Sequence, residues 1–294
     1  MGIDRANQGN KPNAIIFVVS HEPKLLDEIP DLPILQKTLL GELEIDQKYQ
    51  GQNLAESRFL LSNDLLSGDY EFRGFVSARW DHRFPKWPKL SEIGILFEGL
   101  KIPEHQRSFF APISLRLTKS QVQSWLEIQD LLHPGMKELM DKLIEFNSIS
   151  FKKKVTYNLV MGNNFVVHSE VAEDFLAFWQ KSFDFLESAY GLEFPFKYRC
   201  HKCGVASEDG IDRWTRVRHA GFLLERVSAL FFLSRPDLKS LYLHKGRIVE
   251  LKRKLVYRGL GLGFRIASLG HKITSFGKPC KGGHQPIETE LKFE

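Results

Sequence analysis

The stretch that most constrains the fold is Ala14–Ser20, AIIFVVS, an unbroken run of apolar residues that ends in one serine. Such a run is typical of a strand buried on both faces, because a strand with one wet face alternates apolar and polar residues. We therefore expect the first strand of an α/β sheet. The run ends at His21-Glu22-Pro23 and gives way to a loop rich in Pro and Asp. Sheets of this kind bind ligands beyond the carboxyl ends of their strands.

The chain after this strand continues to alternate between strand and helix patterns. The patterns predict a helix over Asn53–Leu66 and strands over Tyr70–Ala78 and Gly94–Gly99 and around Phe109–Leu117. They then predict one helix from Thr118 to Leu132 and a second helix from beyond Gly135 to about Phe146. Thr118 and Gln121 have the spacing of a capping box. A strand then reaches Gly162, resumes as Phe165–His168 and enters a helix at Ser169, a good N-cap residue. The alternation predicts a mixed, Rossmann-like sheet flanked by helices.

Length, charge and cysteine content limit the class of protein. The chain has 294 residues, of which 43% are apolar, with no apolar run long enough for a membrane helix and no signal-peptide core. From these two features we expect a cytoplasmic protein. Three cysteines are too few for a disulfide framework, and reduced thiols fit the same compartment. The net charge of +5 comes from 245–281, which holds ten Lys or Arg and one acid. We divide the chain into a leader over 1–13, one domain over 14–243 and a basic extension over 244–294.

An apolar helix pattern near residue 225 contains two charged residues. Glu225 and Arg226 interrupt the stretch GFLLERVSALFF, and small residues surround Glu225 on a helical wheel. Burying an unpaired charge costs several kcal/mol. Either Glu225 forms an ion pair with Arg218, Arg226 or another arginine, or it faces a cavity and contacts a polar ligand such as a sugar hydroxyl.

Two loops that follow predicted strands collect polar side chains. Arg79, Asp81 and Arg83 lie just beyond the strand Tyr70–Ala78, either as a solvated ion-pair cluster or as a ligand site. Asn163 and Asn164 precede the strand FVVH and His168 ends it. These side chains either contact a ligand or, at Gly-Asn-Asn, provide the chemistry of a tight turn.

These segments, taken in order, resemble a family. The sequences VVSHEP, NLAES, GFVSARWDHRF, GNNFVVHSEVAEDFLAFW and RHAGFLLERVSALFF are similar to GT-A-type glycosyltransferases of bacterial capsule and lipopolysaccharide synthesis. The resemblance is closest to a branch with an HYRR-like loop after the second strand and a late helix that carries Gly-Phe-x-x-Glu-Arg. It covers roughly 14–233. The family's HYRR is present here only as SARWDHR, so the match in that loop is partial.

The resemblance implies transfer of a sugar from a nucleotide-sugar, with a UDP-sugar as the expected donor, to a glycan or a lipid-linked acceptor. Ser20 and His21 would lie at the nucleotide pocket and Arg79 and Arg83 at the diphosphate. The acceptor side would take Arg218 and Arg226, with Asn163, Asn164 and His168 as further candidates for contact with sugar hydroxyls. Catalysis needs a base for the incoming hydroxyl and stabilisation of the leaving diphosphate, so Glu225 and Asp81 are the candidate catalytic residues.

The sequence does not decide whether the protein binds a metal ion. The chain has no clear Asp-x-Asp after an apolar strand, so Asp81 is the candidate ligand for Mn²⁺ or Mg²⁺, and a metal-independent mechanism based on Arg and Lys is the alternative. A zinc site formed by Cys200, Cys203, Cys280 and His284 is a weaker hypothesis than free thiols.

The basic stretch 245–281 either lies against an anionic membrane at its cytoplasmic face or packs on the body of the protein as a solvated tail. We expect no nucleic-acid partner for an enzyme of this kind. The competing hypothesis is an inactive glycosyltransferase-like domain that binds a nucleotide, a glycan or a nucleic acid.

Overall fold

A computed structural model describes residues 13–49, 54–83, 88–98, 107–111, 114–132, 135–160, 162–190, 213–244 and 247–250. The strands are β1 (Ala14–Ser20), β2 (Leu35–Leu39), β3 (Phe72–Ser77), β4 (Ser108–Phe110), β5 (Ser114–Thr118), β6 (Thr156–Val160), β7 (Phe165–His168), β8 (Lys239–His244) and β9 (Arg247–Glu250). The α-helices are α1 (Pro23–Asp27), α2 (Trp80–Arg83), α3 (Leu90–Glu98), α4 (Lys119–Leu132), α5 (Met136–Phe146), α6 (Ser169–Tyr190) and α7 (Arg213–Ser234). Short 3₁₀ helices cover Gln47–Tyr49, Ala55–Leu61 and Asp64–Leu66.

The main sheet is mixed, and one antiparallel strand lies in its middle. Its order is β2-β1-β3-β7-β4-β8-β9. Strands β2, β1 and β3 run parallel, β7 is antiparallel to both of its neighbours, and β4 and β8 are again parallel to each other. Strands β5 and β6 form a separate antiparallel pair. The α/β class and the mixed sheet with flanking helices are therefore confirmed.

Strand β1 is buried on both faces, as its composition predicts. Ile15, Phe17 and Val19 contribute to a large core that also contains residues of α4, α5, α6 and α7. The alternate residues Ile16 and Val18 contribute to a smaller core with α1 and α3. A strand between two cores carries apolar residues at every position, which explains why β1 lacks the alternation of a half-exposed strand.

Several other sequence-based elements are confirmed. Strand β3 and helices α4, α5 and α6 lie within a few residues of their predicted bounds. The capping box at the start of α4 is present, because the Thr118 backbone N–H donates to Gln121 Oε1 over 2.8 Å and Thr118 Oγ1 accepts from the Gln121 N–H over 3.4 Å. No helix in the described ranges is long and apolar enough to cross a membrane.

Other elements differ from the sequence-based expectation. The strand predicted at Gly94–Gly99 is wrong: helix α3 occupies this stretch, and Leu90, Ile93 and Phe97 are buried at helical spacing. The predicted helix over Asn53–Leu66 is instead two 3₁₀ helices, separated by Asn63 in the left-handed conformation. Strands β6 and β7, predicted as one interrupted strand, belong to different sheets.

The sheet also contains strands that the patterns did not predict. Strand β2 carries Lys and Thr at its centre and lies at one margin of the sheet, where half-exposed residues are tolerated. Strands β8 and β9 pair at the other margin, so the first residues of the expected extension over 244–294 belong to the sheet. Residues 251–294 lie outside the described residues, as do Cys200, Cys203 and the 1–12 part of the leader.

Gly74 in β3 allows β7 to approach closely, and this gives a test of the central strand pair. A Cβ at this position would lie 2.6 Å from the Phe165 carbonyl oxygen and 2.9 Å from Val166 Cα. Gly74→Ala should therefore lower the free energy of unfolding by about 2–3 kcal/mol, because backbone must shift to admit the methyl group. Urea denaturation measures this. Gly41→Ala is the control, since its Cβ meets no atom within 4 Å; equal stability of the two variants would contradict the close approach.

Candidate functional site

The candidate site lies at one edge of the main sheet, which we call the carboxyl edge. It is formed by the carboxyl ends of β1 at Ser20 and of β3 at Ser77. Because β7 is antiparallel to β3, with Phe165 opposite Phe75, the residues before β7 reach the same edge. Asn164 Oδ1 accepts from the Ser77 N–H over 2.9 Å and connects the two strands there. Crevices at such strand ends are the usual ligand sites of α/β sheets.

The turn after β1 is shaped by Ser20. The Ser20 hydroxyl donates to the Glu22 carbonyl over 3.0 Å and accepts from the Glu22 N–H over 2.9 Å. Both contacts are local, and they fix the backbone that presents His21 and Glu22 at the carboxyl edge. Ser20 was predicted to contact a nucleotide, whereas in the structure its hydroxyl stabilises the turn.

Two arginines at this edge are paired with glutamates from other parts of the chain. Arg79, just beyond β3, forms an ion pair and a hydrogen bond with Glu22. Arg83, at the end of α2, lies 3.4 Å from Glu56 in the 3₁₀ helix Ala55–Leu61. Both guanidinium groups remain about half exposed, at 50% and 44% of the side chain. Arginine side chains at strand ends with this exposure can contact an anionic ligand.

Asn163 forms a buried hydrogen-bonded bridge between three segments. Its Nδ2 donates to Ser57 Oγ over 2.7 Å, and its Oδ1 accepts from Ser228 Oγ over 2.7 Å. All three residues are at most 3% exposed. The bridge fixes the 3₁₀ helix Ala55–Leu61 and α7 to the start of β7. It therefore also positions Glu56, next to Ser57, and Glu225, one helical turn before Ser228.

Glu225 is ion-paired with its neighbour on α7. Arg226 donates from Nη1 to Glu225 Oε2 over 3.0 Å and from Nε to Gln129 Oε1 over 2.8 Å. Burial raises the pKa of Glu225, and Arg226 counteracts this only in part. Burial likewise lowers the pKa of Arg226. Of the two alternatives that the sequence leaves open for Glu225, the ion pair with Arg226 is present.

Charges of the carboxyl edge act on one another. Glu56 raises the pKa of Glu225, and the Asn163 bridge joins the two segments that carry these carboxylates. The His21 ring keeps contact with solvent, yet its partial removal from water is the largest cause that lowers its pKa; nearby Glu56 raises this pKa and Arg58 lowers it. Three carboxylates, an imidazole and several guanidinium groups therefore converge on one region.

Four of the residues predicted to contact a sugar or acceptor differ from that expectation: one lies elsewhere, two have structural roles at this edge, and the side chain of one is not described. His168 ends β7 opposite Phe72, the first residue of β3, so it lies at the other edge of the sheet. Asn163 uses both polar atoms of its side chain for protein contacts, and Asn164 uses its oxygen, which is the role of structural residues. Arg218 lies on α7, and its side chain lies outside the described part of the structure.

Asp81 does not fit the metal-ligand role expected of it. Its Oδ1 accepts from the Leu90 N–H over 3.0 Å and caps the start of α3. Mn²⁺ and Mg²⁺ sites need several oxygen ligands that converge on one point. Among the residues that the structure describes, no group of three or more His, Cys, Asp or Glu is arranged to hold a metal ion. Asp81 therefore acts as a helix cap in the described structure.

Sequence reasoning missed Glu56 and Arg58. Both lie in the stretch NLAESRFLL, where a carboxylate and a guanidinium interrupt an otherwise apolar pattern. The same signal drew attention to Glu225 and Arg226. The stretch enters the sequence analysis as a helix before β3 and as the NLAES segment of the resemblance, and neither use singles out Glu56 or Arg58.

The chain was also compared with known proteins. The comparisons with protein-family models, with curated proteins and with solved structures find no match. The fold and the carboxyl edge define the protein only as an α/β protein with a charged site at the strand ends.

The buried bridge predicts a structural effect of changing Asn163. Asn163→Ala leaves the hydroxyls of Ser57 and Ser228 buried without a partner, and each such group costs free energy. We expect a loss of about 3 kcal/mol in the free energy of unfolding. Urea denaturation measures it, with Ser124→Ala as the control. Among the described residues that hydroxyl bonds only the Ser120 carbonyl, on the exposed side of α4. A loss no larger than that of the control would show that the bridge is not needed.

The ion pair on α7 predicts a stability effect that depends on pH. Arg226→Gln removes an attraction that lowers the pKa of Glu225, so the folded-state pKa rises further above the unfolded value of about 4.3. The folded variant retains the Glu225 proton at low pH. Its deficit in free energy of unfolding is therefore small below about pH 4.3 and grows to about 3 kcal/mol as pH rises through the folded-state pKa.

Urea denaturation across this pH range measures the deficit. The control is Arg107→Gln, which breaks an exposed ion pair with Asp237 and should change stability little at any of these pH values. A deficit of Arg226→Gln that stays constant with pH would contradict the dependence of Glu225 on Arg226.

Proposed function

We propose that the protein is a glycosyltransferase that moves a sugar from a nucleotide-sugar, with a UDP-sugar as the expected donor, to a glycan or lipid-linked acceptor of bacterial surface polysaccharide synthesis. The observation that carries this proposal is the convergence of Arg79, Arg83 and His21 with Glu56 and Glu225 at the carboxyl edge of parallel strands. The GT-A-like arrangement is part of the proposal, and the mixed sheet is compatible with it.

The chemistry of sugar transfer requires groups of both charges. A nucleoside diphosphate gains negative charge as it leaves the anomeric carbon, and guanidinium groups stabilise that charge most strongly where water is partly excluded. In the proposal Arg79 and Arg83 take this role, and they are still exposed enough to reach a ligand. No metal step is included, since the described residues do not fit one.

The attacking hydroxyl needs a proton acceptor. A carboxylate with a raised pKa accepts a proton more readily than an ordinary one at neutral pH. Glu225 has this property because it is largely buried, and only its Oε2 is bonded to Arg226 among the described residues. In the proposal Glu225 is therefore the general base, and the acceptor lies beside α7. The basic stretch 245–281 would hold the protein against the cytoplasmic face of a membrane that carries the acceptor.

A second candidate function is an inactive domain of the same fold that binds a nucleotide or a glycan. The observation in its favour is the Glu225–Arg226 ion pair, since a buried charge pair also explains Glu225 without any reaction. The two candidates differ in one measurable result. An enzyme releases nucleoside diphosphate from its donor when an acceptor is present, whereas a binding domain leaves the donor intact.

The proposal predicts nucleotide binding that depends on the edge arginines. Thermal shift with UDP, GDP, CMP and their sugars, each with manganese and with chelator, should show a rise in melting temperature for one nucleotide class. Arg79→Gln and Arg83→Gln should each weaken that binding by about tenfold or more, because charge-assisted hydrogen bonds to phosphate are lost. Arg107→Gln is the control, since Arg107 is equally exposed and ion-paired but precedes β4 at the opposite edge of the sheet. No shift with any nucleotide would reject the proposal.

A further inference from the structure

Three arginines near the carboxyl edge differ in how their charge is balanced. Arg79 and Arg83 pair with Glu22 and Glu56. Arg58, in contrast, forms neither an ion pair nor a hydrogen bond with any residue that the structure describes, and its Nε is buried. Buried polar groups in proteins nearly always have a partner. An unpaired guanidinium at a charged edge therefore indicates a place where an anion binds.

The position of Arg58 connects it with the other two arginines. It follows Ser57, which the bridge to Asn163 fixes in place. It also lies close enough to His21 to act on the charge of that ring, as Arg79 does. Arg58 and Arg79 thus approach the same side chain from different segments of the chain. The 3₁₀ helix that carries Arg58 also carries Glu56, the partner of Arg83, and Glu22, the partner of Arg79, follows His21 directly.

In each of the two ion pairs at this edge, a competing anion can replace the carboxylate that contacts the arginine. In the first pair Glu22 is 57% exposed and Arg79 is 50% exposed. In the second pair Glu56 is only 15% exposed, but its distance of 3.4 Å from Arg83 is long for a charge-assisted hydrogen bond. Exposed ion pairs contribute little free energy. A phosphate oxyanion offers several acceptor oxygens to the planar guanidinium fork and can therefore replace a single carboxylate oxygen.

We propose that a diphosphate anion enters at Arg58 and displaces Glu22 from Arg79 and Glu56 from Arg83. The inference rests on the proposed function only for the kind of ligand that carries the anion. Glu22 and Glu56 are then counter-ions that balance the arginines while the site is empty of substrate. The displaced Glu56 stays near Glu225, so donor binding adds negative charge beside the group proposed as the base.

The test is calorimetric titration of inorganic pyrophosphate into the full chain at low ionic strength, without a nucleotide. Arg58→Gln should weaken binding by about tenfold or more, because a charge-assisted contact is lost. Glu22→Gln and Glu56→Gln should each tighten binding by about threefold to tenfold, because the competing carboxylate is removed. The control is Glu28→Gln, which removes an equal charge from an exposed carboxylate that pairs with His82 and not with an arginine.

The outcomes separate this inference from the proposed function. The exchange is overturned if Glu22→Gln and Glu56→Gln weaken pyrophosphate binding, or if they tighten it no more than Glu28→Gln does. This conclusion holds even if a nucleotide-sugar is a substrate. Binding that Arg58→Gln leaves unchanged overturns the entry at Arg58, and absence of pyrophosphate binding overturns both. Tightening by the two variants together with no response to any nucleotide-sugar supports the exchange and rejects the glycosyltransferase. Folding of each variant is checked by its urea midpoint.

Discussion

The hydrogen bonds of Asn163 to Ser57 and Ser228 are the interaction on which the candidate site depends. A carboxamide presents a donor and an acceptor in diverging directions, so one side chain can satisfy two hydroxyls on opposite sides. Here those hydroxyls belong to a 3₁₀ helix and to α7, which are far apart in the chain. In a buried setting each group would lose free energy without the others. The two segments are therefore fixed relative to the sheet, and with them Glu56 and Glu225.

The Glu225–Arg226 pair illustrates a balance in which burial outweighs attraction. Both groups have pKa values shifted toward their neutral forms, although each faces an opposite charge. Desolvation of a buried pair commonly exceeds the Coulomb energy that its partner returns. Additional contacts reduce the deficit: Gln129 accepts from Arg226, and the guanidinium lies 5.7 Å from the centre of the Phe222 ring. The pair is thus a poor source of stability, and what it provides is a fixed position for a carboxylate with a raised pKa.

The sequence was sufficient for features that depend on local pattern. The buried run of β1 and the capping box of α4 are decided by neighbouring residues, and both were predicted correctly. Strand β2 was missed because its apolar residues are confined to its ends. Helix α3 was mistaken for a strand because the run Gly94–Gly99 leaves out Leu90 and Ile93, which together with Phe97 give the helical spacing. The partners of Glu22 and Glu56 are 57 and 27 residues away, and such pairings depend on tertiary structure.

The direction of β7 explains which candidate residues share the site. Sequence reasoning treated every strand end as equivalent, but only the carboxyl ends of parallel strands and the amino ends of antiparallel ones meet at one edge. Because β7 is antiparallel to β3, its first residues approach Ser77 while His168 lies beside Phe72, at the far end. Strand β4 is antiparallel to β7 and therefore runs in the same direction as β3, so Arg107, which precedes β4, also lies at the far edge. A single strand direction, which no local pattern encodes, thus divides the polar residues of the chain between a charged edge and a structural one.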